Sequence, residues 1–319
     1  MHKVKSTPRR RQVLMILLVL IISALGPRPR VWAAEFGTGL YVLGYQSSMA
    51  GYLPDPGFYL RNDLYFYQGN ADILLLAGKA ELGLRSRAIY NLTSGTYVTP
   101  WKILGANYAA GVIWSGIGNV FLKGALTTPK GTLTKEGDYT GVGDLVVSPI
   151  ILGWHLGQVH LLFMGNFYAP VGAYNAARRL NTGLNRWAVE PNVALTWLQP
   201  KYGQEFSLSM GYTVNFRNPA TAYTTGNEFH LEFFLGQNLP KGFALGLAGY
   251  VYQQVSADHG AGAKLGAFHG QTIAVGPCAT YNGKIGGHAV GFNVRYYNEL
   301  KVMNRANGQS LIGTLSLGF

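Results

Sequence analysis

Residues 205 to 216 read Glu-Phe-Ser-Leu-Ser-Met-Gly-Tyr-Thr-Val-Asn-Phe, in which every polar or small residue is followed by a large apolar one. Successive side chains of a strand point to opposite faces. The segment therefore presents Phe206, Leu208, Met210, Tyr212, Val214 and Phe216 on one side and Glu205, Ser207, Ser209, Gly211, Thr213 and Asn215 on the other. Helices repeat near 3.6 residues and cannot give a strict period of two. The same alternation sets Phe229, Leu231, Phe233 and Leu235 against Glu228, His230 and Glu232, and Phe292, Val294 and Tyr296 against Asn293, Arg295 and Tyr297. It returns at the end of the chain, where Leu311, Leu315, Leu317 and Phe319 share one face and Ser310, Thr314, Ser316 and Gly318 the other, with Ile312 the exception. A sheet of this kind is either half-buried in a soluble protein or the wall of a barrel whose apolar face meets lipid.

Composition favours the barrel. Charged residues are 13 % of the chain, against about 25 % in an ordinary soluble domain, while aromatic residues also reach 13 %. Lys3, Lys5, Arg9, Arg10 and Arg11 precede an apolar run from Val13 to Leu25. That run is too short for a mature transmembrane helix and reads as a secretory signal. With Val31 and Ala33 at the small-residue positions of the cleavage site, residues 1–33 are the expected signal peptide and 34–319 the mature chain. Seven of the 26 basic residues fall in the signal, leaving 19 against 14 acidic ones with no basic cluster, so nucleic acid is not an expected partner. Beyond the signal no stretch of some 18 apolar residues occurs, and a protein without such helices can span a membrane only as a closed barrel. Cys278 is the single cysteine and is expected as a packed strand residue.

From Gly141 onward about nine strand-like segments alternate between short connections (Gly157, Gln199–Gly203, Asn238–Gly242, Asn282–Gly286) and long ones (Val171–Arg186, Arg217–Thr225, Ser256–Phe268, Leu300–Gly308). Short turns on one side and long loops on the other are the outer-membrane barrel pattern, the long loops being extracellular. Trp187 and Trp197 share the lipid-facing parity; ten residues on a strand tilted by about 40° rise roughly 25 Å, the height of the apolar band. Before residue 141 the expected strands are Phe36–Gln46, Gly57–Tyr67, Leu84–Thr93, Thr96–Ala110 and Val112–Leu126, which gives fourteen, with twelve as the alternative. Asn70–Ala80 contains Ile73-Leu74-Leu75-Leu76-Ala77, and strand, short helix and hatch entering the barrel all stay open for it. The expected fold is all-β: one transmembrane up-and-down antiparallel β-barrel of 12–14 strands.

The ordered run Thr140-Gly141-Val142-Gly143-Asp144, Gly172-Ala173-Tyr174, Trp187, Pro191, Gly211-Tyr212-Thr213-Val214-Asn215 with Asn218, Thr221, Tyr223 and Gly226, then Gly249-Tyr250 with Gln253 and Asp258, then Gly276-Pro277, resembles the meta-pathway of phenol degradation family over roughly residues 36 to 319. Cys278 departs from the polar residue usual after the Gly-Pro pair. The resemblance implies an outer-membrane transporter associated with breakdown of aromatic or other hydrophobic compounds. The expected function is passive uptake of such molecules, with a non-selective porin, an outer-membrane hydrolase and a purely structural barrel as the rivals.

Enzyme motifs such as G-x-S-x-G, H-E-x-x-H and the Walker A loop do not occur. His155, His160, His230, His259, His269 and His288 leave open a triad assembled from different strands; the expectation is a non-enzyme without cofactor or metal. Glu228, His230 and Glu232 lie at steps of about 7 Å on one strand, too far apart to chelate one ion alone. Strand pairing brings Glu190, Gly211, His230 and Glu232 to similar height with side chains inward. They are either a polar constriction on a substrate path or ordinary wet lumen filling paired to residues such as Arg295. The candidate lumenal set is Asp144, Glu190, Asn215, Glu228, His230, Glu232 and Arg295. Arg178, Arg179 and Arg186 are candidates for lipopolysaccharide phosphates or solvated loop charges, and Phe319 for recognition by the barrel-assembly machinery.

Overall fold

The structure, a computed structural model, describes residues 38–76, 79–128, 131–261, 263 and 269–319. The expected signal peptide and its cleavage site lie outside the described residues. Fourteen antiparallel strands are present among those described: β1 Gly57–Leu76, β2 Lys79–Ile103, β3 Ala106–Trp114, β4 Ile117–Thr128, β5 Gly131–Val142, β6 Leu145–Leu156, β7 Val159–Ala169, β8 Ala188–Gln199, β9 Gln204–Asn215, β10 Glu228–Asn238, β11 Phe243–Gln254, β12 Gln271–Ile285, β13 His288–Met303 and β14 Asn307–Gly318. They close into a ring because β1 pairs with both β14 and β2.

The fourteen strands make twelve barrel staves. β2 is 25 residues long and borders β3 along one half and β4 along the other. β5 and β6 in turn border β4 and β3. Each of the pairs β3/β4 and β5/β6 is therefore one long stave interrupted once, at Ser115-Gly116 and at Gly143-Asp144. The two interruptions face each other and are sealed by backbone bonds, Ser115 N to Asp144 O at 3.1 Å and Gly143 N to Ser115 O at 3.2 Å. A Cβ on Gly143 would lie 2.5 Å from the Ser115 oxygen, and one on Gly116 2.3 Å from the Asn91 oxygen. Only glycine allows the staves to bend there at this spacing.

Lipid and lumen faces follow the sequence alternation. Glu205, Ser207, Ser209, Gly211, Thr213 and Asn215 are buried inside, and the apolar partners of that strand point out. Trp187 is 58 % exposed on the outer surface, and Phe292 and Leu311 are exposed there too, so the exterior is an apolar band suited to an outer membrane. Ile312, the exception in parity, faces inward at 1 % exposure and packs with Leu43, Phe234, Tyr250 and Tyr297. Cys278 is buried in the same cluster.

Two expectations for the first part of the chain, and one near its end, are corrected, and one alternative left open is decided. Residues 38–46 of the expected strand Phe36–Gln46 are not a strand: residues 38–56 run as irregular chain through the barrel interior before β1 begins. The backbone of Asn70–Leu76 is neither helix nor hatch but the upper end of β1, paired with β2. Thr96–Ala110 is divided by a tight turn at Leu104-Gly105, both with positive φ. Near the end of the chain, Leu300–Gly308 is not a long loop, because β13 continues to Met303 and β14 starts at Asn307.

Candidate functional site

Irregular backbone buried in a barrel must find hydrogen-bond partners on the surrounding wall. Two walls supply them to residues 38–56, the plug. On one wall, Glu232 of β10 accepts from Gly44 N, from Gln46 N at 2.7 Å and from the Tyr41 hydroxyl at 2.8 Å. Lower down, Glu205 of β9 accepts from Met49 N at 2.7 Å and Ser48 Oγ at 3.0 Å, and Thr196 Oγ1 accepts from Gly51 N at 2.9 Å. Arginines on the other wall donate to plug carbonyls. Arg295 of β13 reaches Gly44 O at 2.7 Å and Tyr45 O at 3.0 Å, and Arg61 of β1 reaches Tyr45 O at 2.8 Å while its guanidinium lies 4.0 Å from the centre of the Tyr45 ring. Asp63 ties the two arginines together, at 2.8 Å from Arg61 and 3.4 Å from Arg295. Carboxylates thus take the plug's N–H groups and guanidiniums its C=O groups. Each of these charges around the plug is partnered, as low dielectric requires.

The seven candidate residues divide into four groups. Glu232 and Arg295 hold the plug. Glu190 and His230 face each other at 3.4 Å, with Glu190 also accepting from Tyr168 at 2.9 Å, Thr213 at 2.7 Å and Asn166 at 3.2 Å. The His230 ring stacks on plug Tyr41, centroids 3.6 Å apart, and fills the space opposite Gly211, where a Cβ would come within 2.1 Å of Nε2. Glu228 and Asn215 form the third group, linked at 3.0 Å, with Arg186 donating to Asn215 at 3.1 Å. Asp144 stands apart at the stave interruption and accepts from Gly172 N at 2.8 Å and Leu184 N at 2.7 Å, pinning the loop 170–187. The wet-filling reading of Glu190, His230, Glu232 and Arg295 is corrected: each is about 1 % exposed, because the plug occupies the lumen beside them. Arg186 is likewise 1 % exposed, so it does not reach lipopolysaccharide; Arg178 lies over the Tyr139 ring at 4.0 Å.

Sequence reasoning missed Arg61, Asp63 and the plug itself, and did not single out Glu205 as a plug ligand. One signal was present: Leu40-Tyr41-Val42-Leu43 is a continuous apolar run. A stave with a polar lumen face would have alternated, whereas a segment enclosed by protein on all sides need not.

Two cavities flank the plug. The larger, about 880 Å³, reaches the periplasmic turn at Gln199-Pro200 and is walled by apolar side chains including Leu53, Ile151, Leu162 and Met164. The smaller, about 230 Å³, lies under the extracellular loop segment Arg179–Thr182 and the turn carrying Arg305. Both touch Leu40, Tyr41, Val42 and Tyr168. These residues form the partition between them.

The fold is similar to that of the COG4313 outer membrane channel from Pseudomonas putida F1, at 15 % identity and a TM-score of 0.65, covering 88 % of this chain and all of that one. A Pseudomonas aeruginosa FadL homologue aligns with a TM-score of 0.41 at 10 % identity, covering 86 % of this chain and 93 % of that one. No curated protein matches the chain. The family model described as "Putative MetA-pathway of phenol degradation" matches residues 62–313, from the first stave to the last, and the chain belongs to that family.

Proposed function

We propose that the protein is an outer-membrane channel for passive uptake of small hydrophobic, aromatic compounds. The carrying observation is the pair of cavities on the two sides of the partition Leu40–Val42. Together they trace a route from the extracellular loops to the periplasmic turns that is interrupted by that short stretch of plug and by Tyr168 of β7. The walls are apolar and aromatic over most of the route, which suits an uncharged ring better than a hydrated sugar. Movement of residues 38–43 opens the partition, while residues 44–51 stay gripped by Glu232, Glu205, Thr196 and Arg295. Membership of a family named for phenol degradation agrees with this substrate class.

The test compares initial uptake of radiolabelled phenol by cells lacking the gene, with and without the protein restored, alongside arabinose swelling of proteoliposomes. Channel-dependent phenol uptake with little arabinose swelling supports the reading. Equal phenol uptake in both strains defeats it, and rapid arabinose swelling makes the protein a non-selective porin.

A further inference from the structure

The smaller cavity has a chemistry more specific than apolar filling. Six tyrosines line it, Tyr41, Tyr65, Tyr67, Tyr90, Tyr168 and Tyr250, with the rings of Tyr65 and Tyr67 parallel to within 3° and their centroids 6.5 Å apart. A dry cavity of about 150 Å³ is enough for benzene. At about 230 Å³ this one accommodates a single ring with a small substituent and is too small for larger fused systems.

Most of its polar groups are already engaged. Tyr67 donates to Ala306 O at 2.9 Å, Tyr250 donates to Glu299 at 3.1 Å, and Glu299 also accepts from Gly308 N at 2.6 Å. Two polar atoms are left over. The Arg305 guanidinium lies over the Tyr252 ring at 4.2 Å, yet its Nη1 is buried without a hydrogen-bond partner among the described residues, and the Tyr65 hydroxyl makes no hydrogen bond among them. A buried guanidinium N–H without an acceptor is costly. It calls for a ligand that brings an oxygen.

Charge narrows the class further. The charges around the cavity balance, Arg87, Arg179 and Arg305 against Asp144, Glu299 and the nearby Glu228. A ligand carboxylate would tip this balance to net negative, whereas a neutral hydroxyl accepts from Arg305 without changing it. We propose that the extracellular cavity is a recognition site for neutral single-ring phenols, the ring lying among the tyrosines and its hydroxyl meeting Arg305 and Tyr65. This rests on the channel reading and adds to it a binding step that selects hydroxylated rings before they reach the partition.

The probes are 4-fluorophenol, fluorobenzene and 4-fluorobenzoate, with affinity read from fluorine NMR line broadening on full-length protein in nanodiscs and empty nanodiscs subtracted. 4-Fluorophenol is expected to bind about tenfold more tightly than fluorobenzene, the worth of one hydrogen bond to a charged donor, and 4-fluorobenzoate more weakly than 4-fluorophenol. Tyr65→Phe and Arg305→Lys should each reduce the phenol-to-benzene ratio. Ala88→Phe, which fills the cavity beside Tyr67, should weaken binding of both neutral rings. Heat-modifiable migration identifies folded variants, and any one folded variant suffices for the comparison. Equal affinity of wild type for the two neutral rings overturns the proposal, as does wild-type phenol binding by folded Ala88→Phe. The phenol uptake assay separates the two readings: channel-dependent uptake without ring selectivity sinks only the recognition site, while uptake independent of the protein sinks the channel.

Discussion

Glu232 illustrates what a single residue's sequence context conveys and what it hides. Its parity with Glu228 and His230 places it inside the barrel, and there it lies. Its partner Gly44 is 188 residues away in the chain and belongs to no repeating pattern, so nothing local announces that this carboxylate holds backbone N–H groups. Hydrogen bonds to a charged acceptor contribute roughly 1.5–3 kcal/mol each. Glu232→Ala removes three of them, and plug release should become at least about tenfold more frequent. Single-channel recordings with more frequent or larger openings than wild type bear this out; an unchanged trace refutes the clamp. Parity also defines the other face. Leu208 points to lipid between Leu195 and Phe233, and Leu208→Arg should cost about 2–4 kcal/mol if it meets the bilayer near its midplane. A urea midpoint equal to wild type would place that face away from the hydrocarbon.

At the scale of elements, the sequence signals separate cleanly. Staves β8 to β10 and β14 were legible because lipid on one side and a polar interior on the other impose a period of two. The plug was not, since it is enclosed on all sides and held by side chains rather than by a ladder. The interrupted staves were legible in part: Val112–Leu126 was expected as one strand across Gly116, but Gly143 looks like a turn glycine, and only pairing with β4 and β3 shows that β5 and β6 run in line. Asp144 beside that joint connects an element to a loop. Above the joint the edge of β5 has no barrel strand next to it among the described residues, and the loop 170–187 covers it, with Ala173 N bonded to Val142 O at 2.8 Å. Asp144→Ala deletes both bonds from the carboxylate to this loop. Tryptic cleavage after Arg178 or Arg179 in the folded protein should then accelerate by roughly tenfold or more. Protection equal to wild type would show that β-edge contacts alone hold the loop.

For the whole molecule, stave number and plug are linked. About eight strands enclose an interior that side chains alone fill. Twelve leave more space, and here the space is divided between residues 38–56 and the two cavities. The shell does not depend on the plug for closure, because β1 pairs with β14 from Tyr59–Gly318 to Asn70–Asn307, and Phe58 and Phe319 exchange backbone bonds at 3.1 and 2.9 Å. Removing the plug leaves Glu232, Glu205, Asp63 and Arg295 facing a lumen that water can enter, so their charges become hydrated rather than stranded in a dry core. Deletion of residues 38–52 should accordingly give a protein that still inserts, keeps its β-sheet circular dichroism and migrates in the heat-modifiable form. Its conductance should rise by about an order of magnitude or more as the narrowest part of the path widens. A folded deletion protein with wild-type conductance would mean that the extracellular loops, rather than the plug, close the barrel; a protein that no longer folds would mean that the shell needs the plug's backbone as its core.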